Sequence, residues 1–174
     1  MKRFVFMSAV AVASLSSSCM GYPRLLNQLF DRGGWSLNSP AAEENPQITG
    51  RYIVFTSDRR FSQDVYLYDM IDRRMIELPR LNSLEAIASH PSVSTDGRYI
   101  TFAASRQGRS DIYLYDRSMA LLRNLTSNLK TEVRNPTISA DGTTIAFEAN
   151  VNGQWDIFVY DRSGRPLNIW DNIP

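Results

Sequence analysis

Apolar residues fall along this chain in short runs of strand length, and the runs recur. Ile100 and Phe102 alternate with polar or small neighbours, as do Ile145 and Phe147; a period of two puts such residues on one face of a β-strand. The next run in each case is different. Ile112-Tyr113-Leu114-Tyr115 and Ile157-Phe158-Val159-Tyr160 are apolar or aromatic at every position, as in a strand covered on both faces. Turn residues separate the runs: Asp96-Gly97 and Asp141-Gly142 before the first, Gly108 and Gly153 before the second. Aspartate closes a tight turn through its side chain, and glycine accepts φ > 0 without steric cost. Residues 90–125 therefore predict four short strands joined by three turns.

The unit repeats. Arg51-Tyr52-Ile53-Val54-Phe55 aligns with Arg98-Tyr99-Ile100-Thr101-Phe102 and Thr143-Thr144-Ile145-Ala146-Phe147 at offsets of 47 and 45 residues. Asp64 to Asp69, Asp111 to Asp116 and Asp156 to Asp161 align at the same offsets. A fixed period in the forties with four strands per unit is the mark of a β-propeller blade. The expected fold is all-β: three four-stranded propeller blades, a partial β-propeller, at about 45–79, 90–126 and 135–170 of a repeat region spanning 45–174. The first unit departs from the others. It has Thr49-Gly50 in place of the full turn, and Phe61 where the others have Gly108 and Gly153.

Residues 1–19 read as an export signal. Lys2 and Arg3 open it, Phe4 to Leu15 is uncharged and largely apolar, and Ser16 to Ser18 lead to Cys19. That run is shorter than the roughly 20 residues a stable span needs. A cysteine placed so resembles a bacterial lipobox, although Leu15 stands four residues before Cys19 rather than three. The resemblance implies lipidation at Cys19, a membrane anchor; the alternative is ordinary cleavage near Ser18. Both put the mature protein outside the cytoplasm, on the periplasmic side of a bacterial membrane. Residues 20–44, with Pro23, Gly33-Gly34 and Pro40, read as a tether. Within it Leu25, Leu26, Leu29 and Phe30 form an apolar patch able to pack on the repeats.

Composition narrows the chemistry. The formal net charge is +1, which predicts no bulk attraction to nucleic acid. One cysteine and one histidine leave no internal disulfide and little for a metal or a nucleophile–base pair; no cofactor, metal or catalytic residue is expected. His90 occupies the repeat position of Asn45 and Asn135, just before a proline, and reads as a backbone partner where the blade begins. Asp64, Asp111 and Asp156, and likewise Asp69, Asp116 and Asp161, recur in register. A ring of carboxylates can line a cation channel, but repetition in every unit points to a turn role. Phe61, Arg109 and Trp155 lie on or near the same inter-strand turn of successive blades. Exposed aromatics and arginine anchor partners, so these three form a candidate binding rim, with local packing as the alternative.

Pro136-Thr137-Ile138-Ser139-Ala140-Asp141-Gly142, followed by Ile145-Ala146-Phe147 and Asp156-Ile157-Phe158-Val159-Tyr160-Asp161, resembles the TolB-type β-propeller repeat. The middle unit extends the match through Arg123-Asn124-Leu125-Thr126, and the resemblance covers about 45–170. It implies a non-enzymatic module for protein–protein interaction at the cell envelope, in a Tol-type transport system. The residues before the repeats hold no counterpart of the separate N-terminal domain of TolB. No G-x-S-x-G elbow is present, as a hydrolase behind such a propeller would carry. Fold alone does not fix activity; a structural subunit of a larger membrane complex and a carbohydrate-binding or hydrolytic propeller are the alternatives. Closed propellers have roughly four to eight blades, so three leave two faces uncovered. A homodimer closing a six-blade ring, or residues 22–44 together with a partner protein, would cover them.

Overall fold

The computed structural model describes residues 35–82 and 85–168. The export signal, Cys19 and the apolar patch Leu25–Phe30 lie outside them. The described residues contain eleven strands and no helix. The first sheet is β1 (Glu43–Ile48), β2 (Tyr52–Ser57), β3 (Asp64–Asp69) and β4 (Arg74–Ile76) in that order. The second is β5 (Ile87–Val93), β6 (Tyr99–Arg106), β7 (Arg109–Asp116) and β8 (Leu121–Asn124). The third is β9 (Val133–Ile138), β10 (Thr144–Val151) and β11 (Gln154–Asp161). Every pairing is antiparallel, and the sequence's three-blade arc is what forms.

Two details differ from the sequence reading. The third sheet has three strands, and its fourth is reduced to a bridge between Tyr160 and Pro166, with the Leu167 amide donating to the Val159 carbonyl at 2.7 Å. Proline stands where the second sheet has Leu122 opposite Tyr115, and proline has no N–H for a ladder. Asn45, His90 and Asn135 do not open the strands. Each lies inside one, with φ of 52°, 48° and 52°, beside a break in register. They are bulge residues ahead of a proline, which bend the first strand of each sheet.

Two seams hold the sheets together. Ile100, Phe102 and Ala104 of β6 meet Val54, Val65 and Leu67 of the first sheet. Tyr99 and Ala103 on the other face of β6, with Ile112 and Leu114, meet Ile145, Phe147 and Tyr160 of the third. Ile100 and Ile145 are both fully buried in equivalent places, so the matching seams expected of stacked blades are present.

An aromatic latch closes each seam. Glycine at the Asp-Gly turns has φ of +69° (Gly97) and +72° (Gly142), and a Cβ there would lie 2.4 Å from the Tyr52 ring and 2.5 Å from the Tyr99 ring of the preceding sheet. Arg51 and Arg117 lie over Tyr52, and Arg98 and Arg162 over Tyr99, all within 5.8 Å of the ring centroids. Cation–π contacts of this kind add to apolar burial. The parts are not repeated at the ends of the arc. Thr143-Thr144 hold the arginine–tyrosine positions in the third sheet, and Met70 holds that of Arg117 in the first.

The two ends also differ in cover. Residues 35–42 lie along the outer face of the first sheet, tied by Arg59, whose side chain is only 7% exposed. Its guanidinium donates to the Ser36 and Leu37 carbonyls and to Glu43, and sits 5.4 and 4.9 Å from the Phe55 and Tyr66 ring centroids. On the outer face of the third sheet Ile157 remains 61% exposed.

Candidate binding rim

The β6–β7 and β10–β11 hairpins turn through two residues, Gln107-Gly108 (φ 51° and 78°) and Asn152-Gly153 (φ 53° and 88°). Such turns match the twist of the strands they join. The β2–β3 connection is longer. Between Ser57 and Asp64 it carries Phe61, whose amide donates to the Asp58 carbonyl at 2.9 Å. Phe61 has φ of +67° and a fully exposed side chain. A bulky residue in the left-handed region is a true outlier, and such strain concentrates at functional positions.

The Phe61 turn is anchored to the second sheet, since the Ala88 amide donates to the Gln63 carbonyl at 2.9 Å. Phe61 thereby stands over a groove of about 550 Å³ whose walls include Gln63, Ile87, Ser105 and Gln107. Ile87 is 60% exposed, and the Arg106–Glu85 ion pair, 3.0 Å, borders the groove. Two large apolar side chains thus face solvent with a charged edge beside them, the composition of a binding hot spot and its rim. Sequence reasoning passes over Ile87 because it places the start of this blade at His90. The alternation Ala86-Ile87-Ala88 is the available signal.

Arg109 and Trp155 occupy the equivalent turns in the next two sheets and are engaged locally. Arg109 donates to Asp111 and to the carbonyls of Thr126, Ser127 and Leu129 at 2.9–3.2 Å, holding the loop after β8. Trp155 is covered by the Arg134 guanidinium, 3.7 Å from the ring centroid, and Arg134 in turn bonds Glu148. His90 is exposed at its bulge. Among the described residues no three His, Cys, Asp or Glu side chains gather as a metal site would require.

Of the two recurring sets, the aspartates that end β3, β7 and β11 cap turns, whereas Asp111 and Asp156 accept from side chains near the starts of their strands. Asp69 accepts from the Ile71 and Asp72 amides, Asp116 from Ser118, and Asp161 from Ser163 and Arg165. Arg51 pairs with Asp69 at 2.6 Å and Arg98 with Asp116 at 2.9 Å; in the third sheet, where Thr143 replaces that arginine, Arg165 takes the part at 2.9 Å. The Arg51 bond, opposed by burial and helped by the backbone amides, brings the Asp69 carboxyl down to about 2. For Asp116 burial pushes upward, but Arg98 and Ser118 outweigh it and the carboxyl also lies at about 2. A carboxylate held below its unfolded value of about 3.9 stabilises the fold fully above that value. The contribution is lost as pH falls through the folded value. Acid unfolding is expected between about pH 4 and pH 2, followed by circular dichroism. Arg98→Gln should move its onset to higher pH, and an unshifted curve would rule the pair out as a contributor.

No protein-family model and no curated protein sequence matches this chain. Solved structures do. TolB from Acinetobacter baumannii is 25% identical, over 72% of this chain and 31% of that one, with a TM-score of 0.57. The β-propeller domain of the Trilobed protease from Pyrococcus furiosus is 15% identical, over 74% and 42%, with a TM-score of 0.53. Puromycin hydrolase is 16% identical, over 73% and 20%, with a TM-score of 0.56. The chain spans less than half the length of each of these structures. It has a TolB-like β-propeller fold, present as three blades. Its likeness to the two hydrolytic proteins is one of fold.

Proposed function

We propose that the chain is a non-enzymatic, exported propeller module that binds a protein partner at the cell envelope. Phe61 carries this reading. Its equivalents are glycine in both other sheets, so the fold has no need of an aromatic there. Keeping one fully exposed in a strained backbone is explained by a contact outside the chain. The Tol-type assignment rests on the shared fold and the repeat motif, and the envelope location on the lipobox-like run ending at Cys19.

The partner is a different protein rather than a second copy. A two-chain ring would join the third sheet to the first sheet of its mate. Neither the arginine–tyrosine pair nor the receiving arginine of the latch is present there, and residues 35–42 already lie on the first sheet. The open face carrying Ile157 is a second place for a larger complex to complete the array.

A photo-crosslinking phenylalanine analogue at position 61, in cells, tests the reading. A discrete adduct is expected from position 61 and none from position 119, where Met119 is also exposed. Equal labelling from both sites would defeat it. Phe61→Gly should leave stability unchanged or raise it by up to about 1 kcal/mol, since glycine suits the backbone there. Intact mass of the purified protein reports the anchor. A cleaved chain beginning at an acylated Cys19 supports the membrane-tethered form; an unmodified Cys19 leaves a soluble exported one.

A further inference from the structure

A second cleft, of about 650 Å³, lies at the outer edge of the first sheet. Its walls come from residues 35–41, the start of β3, and the segment from Met75 to Pro79. Tyr66 lines it. The Tyr66 side chain is about nine-tenths buried, and its hydroxyl has no hydrogen-bond partner among the described residues. Buried polar atoms are nearly always satisfied, and an exception calls for an explanation. The fold does not require this hydroxyl: at the same repeat position Tyr113 has Asn124 within 3.5 Å, and the third sheet uses Phe158.

The remaining polar groups of the cleft narrow what would fit. Ser39 and Arg59 are spent on Glu43, and Asn82 brackets Val65 through both its backbone groups. Arg60 is exposed and makes no ion pair or hydrogen bond among the described residues. Burial, reinforced by Asp64 and opposed by Arg60 and Arg59, raises the Tyr66 phenol above its usual range, so it stays protonated and is a donor. Asp64 is itself bonded to Ser62. Glu77 stands exposed in the lining. Met75, Ile76, Leu78 and Pro79 supply an apolar wall. The volume is that of a small-molecule pocket.

We propose that this cleft binds a small monocarboxylate with an apolar body. The carboxylate accepts from the Tyr66 hydroxyl and lies against Arg60, and the body packs on Met75 and Leu78. A free fatty acid and an apolar peptide terminus share this chemistry. Glu77 in the lining sets the limit at one negative charge, since it would repel a second.

Isothermal titration of the whole mature chain with decanoate, below its micelle concentration, tests this. Saturable one-to-one binding is expected, with decanol and decylammonium at least ~10-fold weaker. Tyr66→Phe should weaken decanoate binding by ~10-fold and Arg60→Gln by a smaller factor, while Glu77→Gln should tighten it. Circular dichroism on each variant confirms that the sheets are intact. Acetyl-Leu-Phe as free acid and as amide, run in parallel, shows which source is preferred; in either case the charged form must win. No saturable binding of any acid, equal binding of decanol, or an unchanged Tyr66→Phe variant would overturn the proposal.

Discussion

Gly97→Ala is expected to destabilise the chain by about 2–5 kcal/mol, the sum of two separate costs. At φ of +69° an L side chain costs roughly 1–2 kcal/mol. The added methyl would also sit 2.4–2.7 Å from three atoms of the Tyr52 ring. That ring is 7% exposed and held between Arg51 and Arg117, so it must be displaced from a filled seam at about 1–3 kcal/mol. Gly108 is the built-in control. Its φ is +78°, and a methyl group there would meet nothing within 4 Å, so Gly108→Ala should show the backbone cost alone. Urea unfolding of both variants, with Tyr52→Ala added to each, separates the terms. If Gly97→Ala and Gly108→Ala lose the same amount, the latch has no energetic part in the seam.

Arg59→Ala is expected to cost about 3 kcal/mol, in the range for breaking a buried ion pair from one side. Glu43, 18% exposed in its side chain, would lose its cation. The Ser36 and Leu37 carbonyls would lose a donor, and Phe55, now 2% exposed, would lose the group lying over its ring. The local readout is amide exchange in residues 36–42, which should accelerate well beyond the change in the second and third sheets. Arg59→Met, which keeps apolar cover without the charge, should recover part of the loss. A uniform rise in exchange would mean that Arg59 supports the whole array rather than tying one strap to its end.

Blade architecture is legible in the chain because each blade solves the same burial problem. Ile100 and Ile145 recur at one period since both must fill a seam, and Gly97 and Gly142 recur because both turns take φ > 0. What the period does not reveal is how the two ends are finished, since an end has no neighbour to repeat against. Thr143-Thr144 and Met70 are visible as departures from the consensus of this chain, but their meaning depends on the latch. The bulges are hidden for a related reason. An asparagine or histidine before proline marks a turn about as well as it marks a kink inside a strand, and only hydrogen-bond register distinguishes them.

The candidate rim shows the same division. Phe61 stands out in the sequence as a break in the glycine pattern, and Arg109 and Trp155 group with it by position. Position alone does not show that Arg109 holds a loop and Trp155 is covered by Arg134, whereas Phe61 stands free of the surface beside Ile87.

The order of hydrophobic and turn residues was by itself enough to determine that this protein is an arc of three repeated antiparallel β units, because the alternation and the glycine positions are local requirements. Only the tertiary structure decided which end is covered, which exposed aromatic faces solvent, and which buried hydroxyl lacks a partner among the described residues. Those outcomes depend on contacts between residues far apart in the chain, and no local pattern encodes whether such a contact is made.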